Sequence, residues 1–290
     1  MVFNSEEVVR KKIRGLDTAW IHSRMEPSVA RLRDGFNDPI LVFLHGCPDE
    51  PESWRHQVDF FSKNYEVLVP FARGVRFSKK SKSSHRYTLE AIVLDHLEML
   101  RSTDPTGERK VVVVGHDIGA IHAWKLATLL GSRLHSLVLI SGPSLAQMTY
   151  KFTKPGQWLK SWYIGFFQVP FISDLSLKLK DDFFYRLAQK TGRNLRGTLS
   201  ANPKGRVYPF LEQYRRAVRS IPSALSDAKQ EYDFPVLVLW GKNDAFLETP
   251  TLKELKYLTK KTTLRILDVN HWIHQEQPDR VNSLIMEFIA

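Results

Sequence analysis

An aspartate lies where a strand-like run meets a helix-like run, a position that can expose a catalytic side chain. Residues 111–114 are four valines, typical of a buried strand, and Gly115-His116-Asp117-Ile118-Gly119 follows them. The glycines carry no Cβ and therefore permit a sharp, strained turn at Asp117. A carboxylate at this turn can displace a leaving group from saturated carbon, and the resulting ester can be hydrolysed. The alternative is an aspartate that only caps the next helix.

The groups that such a nucleophile would need follow other strand-like runs. His45-Gly46-Cys47-Pro48 follows residues 40–44, and its glycine lets backbone N–H groups approach a ligand. Its proline fixes a turn and is a candidate for a cis peptide bond. The N–H groups of Cys47 and Ile118 together would form an oxyanion hole. An ordinary turn at the end of a strand is the alternative for this motif.

Asp244 and His271 are the candidate acid and base. Asp244 lies just past the strand-like residues 235–240, and an aspartate in a plain surface turn is the alternative. His271 follows the last strand-like run, 27 residues after Asp244, so we favour it as the base. His274 is its rival because it lies one helical step further along the chain.

Short apolar runs that are typical of strands alternate with longer runs that have helical spacing. The predicted strands are residues 40–44, 66–69, 110–114, 136–140, 235–240 and 263–267, and the predicted helices include residues 88–100, 210–218 and 279–289. This alternation predicts an α/β fold with a mostly parallel sheet covered by helices on both faces. Residues 18–34 are expected to add an antiparallel pair at the edge of the sheet.

The stretch from residue 142 to residue 230 breaks this alternation, and we predict that it forms a helical cap. It is rich in aromatic residues and in helix-like stretches, and a strand-like run follows it at residue 235. Such an insertion would lie over the carboxyl edge of the sheet, where open α/β sheets bind their ligands. The predicted domains are therefore a core of residues 1–141 and 231–290 and a cap of residues 142–230.

The charge of the chain is concentrated in the predicted cap. The formal net charge is +11, and residues 144–230 contain 15 Lys and Arg against five Asp and Glu. Such a field favours anionic substrates, lipid headgroups or acidic partners, and the plainer alternative is a solvated surface. We expect a weak association of the basic cap with membrane surfaces. No recognised motif accompanies the charge, so nucleic-acid binding is not expected.

Length and composition limit the size, the compartment and the domain organisation of the protein. The 290 residues, 43% of them hydrophobic, suffice for one large α/β domain with an insert. We see no apolar run long enough to span a membrane and no secretory signal at the acidic start. The single cysteine, Cys47, excludes an internal disulfide and fits a reducing compartment. We therefore expect a cytoplasmic protein that is a monomer or a homodimer.

Along essentially its whole length, the chain resembles the epoxide hydrolase and haloalkane dehalogenase branch of the α/β-hydrolase superfamily. The matching motifs are His45-Gly46-Cys47-Pro48-Asp49, Trp54-Arg55, Arg73-Gly74, Gly115-His116-Asp117-Ile118-Gly119, Trp240-Gly241, Asp244 and His271. The order nucleophile, acid, histidine is also that of the α/β-hydrolase triad. The resemblance implies an eight-stranded, mostly parallel sheet flanked by helices, with a helical cap after the sixth strand. It also implies a reaction that needs no cofactor and no metal.

The resemblance also implies the roles of the site residues. Asp117 would attack an electrophilic carbon, and water activated by His271, which Asp244 orients, would hydrolyse the ester. Enzymes of the branch that open epoxides use two tyrosines, or a tyrosine and a histidine, of the cap as proton donors. The segment 161–170 resembles the one that carries the first donor, and the match falls on Tyr163.

The second proton donor departs from the pattern of the branch. The corresponding stretch, residues 223–228, contains no tyrosine, so Tyr208 or Tyr214 would have to reach in from the preceding segment, and we favour Tyr214. The predicted catalytic residues are thus Asp117, Asp244, His271, Tyr163 and Tyr214. The predicted substrate-binding residues are His45, Trp162 and Phe166.

The resulting prediction is hydrolysis of a small epoxide, anionic or amphipathic, to a vicinal diol. A haloalkane or haloacid dehalogenase with the same nucleophile is one alternative, which Trp158 and Trp162 keep open. It is disfavoured because Ile118 stands where such relatives carry tryptophan or arginine. Asp117 disfavours a serine-type esterase. A catalytically idle relative that acts as a binding protein is the last alternative, which the missing second donor favours and the intact triad order opposes.

Overall fold

The computed structural model describes residues 3, 7–23, 38–176, 208–222, 231–255 and 257–290. Eight strands form one sheet with the order β1-β2-β4-β3-β5-β6-β7-β8. They are β1 Val8–Ile13, β2 Leu16–Ser23, β3 Ile40–Leu44, β4 Val67–Pro70, β5 Val111–His116, β6 Leu134–Ile140, β7 Val236–Gly241 and β8 Thr262–Leu267. Strand β2 runs antiparallel to both of its neighbours, and the other neighbouring pairs are parallel. The predicted mostly parallel, eight-stranded sheet is confirmed.

The antiparallel edge pair lies earlier in the chain than predicted. The prediction placed it in residues 18–34, whereas β1 and β2 form it within residues 8–23. Strand β1 was missed because its centre is three consecutive exposed basic residues, Arg10-Lys11-Lys12, instead of an apolar alternation. Charged residues are common on edge strands, where one side of the strand faces solvent. The remainder of the predicted segment, residues 24–34, lies outside the described residues.

Helices cover both faces of the sheet, as the alternation of runs predicts. The α-helices are α1 Arg55–Phe61, α2 Leu89–Thr103, α3 Ile118–Leu130, α4 Leu145–Lys151, α5 Pro155–Lys160, α6 Trp162–Phe167, α7 Tyr208–Arg219, α8 Leu252–Leu255, α9 Ile273–Glu276 and α10 Pro278–Ile289. Alternate valines of β5 face opposite sides: Val112 and Val114 pack with α1 and α10, and Val111 and Val113 pack with α2 and α3. The central strands are therefore buried on both faces.

Four of these helices, α4 to α7, lie between β6 and β7, where the cap was predicted. They contact the core through polar side chains as well as apolar ones. Lys151 and Glu254 form an ion pair whose side chains are both fully buried, and Lys160 Nζ donates a hydrogen bond to the backbone oxygen of Asp244 at 2.6 Å. Residues 177–207 and 223–230 of this stretch lie outside the described residues. Among the described residues, every helix is too short or too polar to span a bilayer.

Candidate active site

The carboxyl ends of four strands in the parallel part of the sheet bring the candidate catalytic residues together. Cys47 follows β3, Asp117 follows β5, Asp244 follows β7 and His271 follows β8. Parallel strands end at the same edge of a sheet, so residues that are up to 224 positions apart meet there.

Asp117 occupies a strained backbone position between β5 and α3. Its φ of 54° and ψ of −124° are rare for a residue with a Cβ. Close packing holds the turn, because a Cβ at Gly119 would lie 2.3 Å from the backbone oxygen of Leu44 and one at Gly142 would lie 2.5 Å from that of Asp117. Asp117 is the N-cap residue of α3, but its side chain makes no capping hydrogen bond. The alternative of a purely helix-capping aspartate is therefore wrong.

The Asp117 carboxylate lies instead among polar groups from three other segments. Its Oδ1 accepts hydrogen bonds from the backbone N–H of Cys47 at 3.1 Å and from the hydroxyl of Tyr214 at 3.4 Å. The N–H of Ile118 also hydrogen-bonds to this carboxylate. The Oδ2 atom lies 3.5 Å from His271 Nε2. Both predicted oxyanion-hole N–H groups thus contact the carboxylate, and the Cys47–Pro48 peptide bond is cis, as predicted.

His271 links the two carboxylates of the site. Its Nδ1 lies 2.7 Å from Asp244 Oδ2, and its side chain is 2% exposed. Asp244 is itself fixed, since its Oδ1 accepts the backbone N–H groups of Phe246 and Leu247 at 2.8 and 2.9 Å. With Nδ1 bound to the acid, Nε2 of the imidazole faces Asp117 and is the atom available for proton transfer.

The two carboxylates control the protonation of His271. Burial alone would lower the pKa of this imidazole, but the charges and hydrogen bonds of Asp244 and Asp117 raise it to about 10. Burial conversely favours a raised pKa at Asp117, but the hydrogen bond and charge of His271 outweigh it and hold that pKa below its ordinary value. At neutral pH the site therefore contains an ionised Asp117 beside a protonated His271.

The rival base, His274, lies elsewhere. Its ring is fully buried against Trp54 at a centroid distance of 4.2 Å, and neither of its nitrogens has a hydrogen-bond partner in the described part of the chain. Burial, followed by the charges of His116 and His271, lowers the pKa of His274 well below its ordinary value. His271, not His274, contacts Asp244 and Asp117.

Two tyrosines of the β6–β7 insert face the carboxylate. Tyr163 of α6 and Tyr214 of α7 are buried, their ring centroids lie 6.2 Å apart, and their hydroxyls are hydrogen-bonded. Burial, followed by the charge of Asp117, raises the pKa of both hydroxyls well above the ordinary value, so both are neutral proton donors. Tyr208 is the first residue of α7, and its side chain lies outside the described part of the chain.

A mostly apolar cavity of about 540 Å³, including its opening to solvent, lies between the carboxylate and the insert. It is lined by Asp117, both tyrosines and Ile118, Ile121, Pro143, Leu145, Met148, Phe152, Ile164, Ala217, Val218, Ile221 and Leu247. Sequence reasoning missed most of this lining. The helical spacing of 118 and 121, and of 145, 148 and 152, was the available signal, but the same spacing occurs wherever a helix packs on a core.

None of the three predicted substrate-binding residues lines this cavity. His45 lines a second cavity, to which Ala72 and His96 also contribute, and its Nε2 accepts the backbone N–H of Ala72 at 3.1 Å. Trp162 is 48% exposed, and Phe166 packs partly buried beside Trp162 and Phe167. Their proposed contact with substrate therefore has no support in the geometry of the described residues.

Comparison with known proteins identifies the family. The model of the alpha/beta hydrolase fold family matches residues 39–278. Epoxide hydrolase 4 of Mus musculus is 30% identical over 264 residues, which cover 87% of this chain and 73% of the relative. The AB hydrolase superfamily protein YfhM of Bacillus subtilis is 31% identical over 265 residues, 87% of this chain and 90% of the relative.

Solved structures show the same fold. The epoxide hydrolase of Bacillus megaterium, in complex with an inhibitor, has a TM-score of 0.73 at 20% identity and covers 97% of this chain and 99% of its own. The epoxide hydrolase VrEH1 of Vigna radiata has a TM-score of 0.73 at 20% identity over 99% of both chains. The chain therefore belongs to the alpha/beta hydrolase fold family, in which it is a hydrolase similar to the epoxide hydrolases.

Proposed function

We propose that this hydrolase opens an epoxide to a vicinal diol through an ester on Asp117. The observation that carries the proposal is a carboxylate with its Oδ2 toward His271 and its Oδ1 beside the Tyr214 hydroxyl. Relatives named epoxide hydrolase, at about 30% identity, support the same chemistry. Residues 142–230 act in this proposal as the cap that supplies the tyrosines.

In the first step, an Asp117 oxygen attacks an epoxide carbon, and the carbon–oxygen bond of the ring breaks. The ring oxygen takes the proton of Tyr163 or Tyr214, because an alkoxide would be a poor leaving group in this apolar cavity. The products of this step are an alkyl ester of Asp117 and a tyrosinate. Since a halide ion needs no proton when it leaves, a pair of neutral buried donors favours an epoxide over an alkyl halide.

Formation of the ester changes the charge beside His271. Asp117 contributes to the raised pKa of His271, and it loses its negative charge when it is alkylated. The imidazolium then gives up its proton, which restores the neutral tyrosine. His271 becomes a free base at the moment when a base is needed, and Asp244 keeps its Nδ1–H in place.

In the second step, water gives a proton to His271 Nε2 and its oxygen attacks the carbonyl carbon of the Asp117 ester. The backbone N–H groups of Cys47 and Ile118 stabilise the oxyanion that forms. The ester bond breaks, the departing diol oxygen takes the proton of the added hydroxyl, and the carboxylate returns. One epoxide and one water are consumed, and the protonated His271 of the resting enzyme is restored.

A single turnover in heavy-oxygen water tests the route. Enzyme in excess over a styrene-type epoxide should place the label in the Asp117 carboxylate and leave the first diol molecules unlabelled, because water attacks the ester carbon. Label that enters the diol directly would contradict the ester intermediate. Parallel assays with an alkyl halide test the dehalogenase alternative, which a cavity without tryptophan among its described lining residues disfavours.

We further propose that the substrate is amphipathic and that the insert touches membrane surfaces. Large exposed apolar side chains are concentrated between residues 158 and 175, among them Trp158, Leu159, Phe171 and Ile172. Aromatic side chains near basic residues are typical of helices that lie in a membrane interface. In a flotation assay, the protein should rise with vesicles that contain anionic lipid. The Phe171→Asp variant should reduce the fraction of protein that is found with the vesicles. Leu129→Asp, a change at an exposed leucine of α3, is the matched control.

A further inference from the structure

Three buried side chains with metal-binding atoms lie directly behind His271. Asp49 follows β3, His116 is the last residue of β5, and His274 belongs to α9. Their side chains are essentially inaccessible to solvent, and one ligand atom from each lies within 4.8 Å of the others. The rings of His116 and His274 have a centroid distance of 4.5 Å. The proposed reaction uses none of the three.

The hydrogen bonds of this group leave ring nitrogens without a partner among the described residues. His116 Nε2 lies 3.2 Å from the backbone oxygen of His271, and because a carbonyl only accepts, Nε2 carries the proton. The other ring nitrogen of His116, Nδ1, lies 3.3 Å from Asp49 Oδ2 and has no hydrogen-bond partner among the described residues. Within the same described ranges, both ring nitrogens of His274 are also buried without a partner.

The negative charge around these rings is only partly compensated, because one protonated His271 lies between two of the three buried carboxylates. Asp49 accepts the indole N–H of Trp272 at 3.0 and 3.2 Å, which solvates the carboxylate without neutralising it. Asp117 and Asp244 are buried nearby, on either side of His271. In the described ranges, no Lys or Arg side chain pairs with any of the three carboxylates. Because a single protonated His271 serves three buried carboxylates, a positive ion between Asp49 and the two imidazoles would compensate the remaining negative charge.

We propose that Asp49, His116 and His274 bind a divalent transition-metal ion of the Zn²⁺ type. One carboxylate and two imidazoles are a common ligand set for such ions. The ion would bind Asp49 Oδ2 and His116 Nδ1, which lie 3.3 Å apart, together with one nitrogen of His274. It would also fix the orientation of His116, whose Nε2–H holds the backbone oxygen of His271. The site is structural, and it supports the segment that carries the base.

Because the ligands are buried, the ion has to enter while the chain folds. The test is therefore to unfold the protein in guanidinium with a chelator and to refold it with or without one equivalent of Zn²⁺. Excess zinc is removed, and the zinc that stays bound to the protein is measured by inductively coupled plasma mass spectrometry. Zinc-refolded protein should retain about one ion per chain and have a Tm that is higher by about 5 °C.

Two variants locate the ion. His274→Gln removes one ligand and should reduce bound zinc below about a tenth of an equivalent. His96→Gln is the matched control, because His96 is a buried histidine of α2 outside the group, and it should retain the zinc. Refolding with Co²⁺ should give visible ligand-field absorption in the wild type and in His96→Gln alone.

Two results would overturn the proposal. If wild-type protein refolded with Zn²⁺ retains no zinc, the group is a hydrogen-bonded core in which a proton on His116 supplies the charge. If His274→Gln retains as much zinc as the wild type, the ion binds elsewhere. The wild-type measurement decides the first point even if the variant fails to fold.

Discussion

Replacement of His271 by glutamine separates the two proposed steps. Glutamine fills a similar volume but accepts no proton from water, so the ester on Asp117 should form and then persist. The Nε2 atom of His271 lies 3.5 Å from Asp117 Oδ2, which places a water bound to this nitrogen within reach of the ester carbon. A positioned general base contributes about 10²–10⁴-fold to such a step. We therefore expect kcat for the His271→Gln variant to fall by at least about 10²-fold.

The substitution also alters the nucleophile, and the assay has to allow for this. The hydrogen bond and charge of His271 lower the pKa of Asp117 against the effect of burial, so their removal raises that pKa. At low pH the variant would carry a protonated, unreactive Asp117. The adduct should therefore form more completely at about pH 9 than at about pH 6, because only the carboxylate attacks the epoxide.

Mass spectrometry of the intact protein measures the adduct. After incubation with an epoxide, His271→Gln should gain the mass of one substrate, and digestion should locate the gain on the peptide that contains Asp117. Asp117→Asn should gain nothing. His135→Gln should turn over like the wild type, since His135 lies near the amino end of β6, at the opposite edge of the sheet. Turnover of His271→Gln within about tenfold of the wild type would refute the assignment of the base.

Three further results are expected. Tyr214→Phe removes the hydroxyl that lies 3.4 Å from Asp117 Oδ1 and should lower kcat for an epoxide by about 10²-fold. An unchanged kcat in steady-state assays would exclude this tyrosine as a proton donor. Because the folded-state pKa of His271 is raised from 6.5 to about 10, its contribution to stability is complete below pH 6.5 and is lost as the pH rises through 10. Urea denaturation should therefore show a free energy of unfolding that falls over this range in the wild type, and less steeply in His271→Gln. Gly46→Ala would place a Cβ 2.5 Å from that of Asp117 and should lower kcat/KM at least about tenfold. Gly165→Ala is the control, because the added Cβ would meet no side chain of the described residues within 4 Å, and it should leave kcat/KM unchanged.

The strand-end residues were predictable because two independent signals coincide at each of them. Asp117, Asp244 and His271 each follow an apolar run, and the carboxyl ends of parallel strands meet at one edge. The end of β5 was less predictable: Gly115 and His116 still pair with β6, two residues beyond the valine run. Glycine and histidine do not favour β-strands by themselves, so the continuation of β5 through Gly115 and His116 is evident only from their pairing with the neighbouring strand.

The side chains of the insert were harder to predict, because a helix position does not show which direction faces the cavity. Trp162 and Tyr163 are adjacent on α6 and therefore point about 100° apart, so a buried Tyr163 leaves Trp162 directed toward solvent. Tyr208 and Tyr214 are six residues apart on α7, about 240° around the helix axis. The sequence shows that the two side chains of each pair point in different directions from the helix axis. Only the packing of the helix on the core decides which of the two faces Asp117.

The protonation of the site depends on distances that no local pattern contains. His271 lies 27 positions from Asp244 and 154 from Asp117, yet it stands between their carboxylates in the folded chain. This position makes the nucleophile part of the environment of the base: an ionised Asp117 favours the imidazolium, and an esterified Asp117 favours the free imidazole. The order of the two steps then follows from electrostatics alone, because His271 cannot accept a proton from water until Asp117 has reacted. An Asp117→Asn variant should accordingly titrate its His271 at a lower pH than the wild type, and an equal or higher pKa by NMR would contradict this coupling.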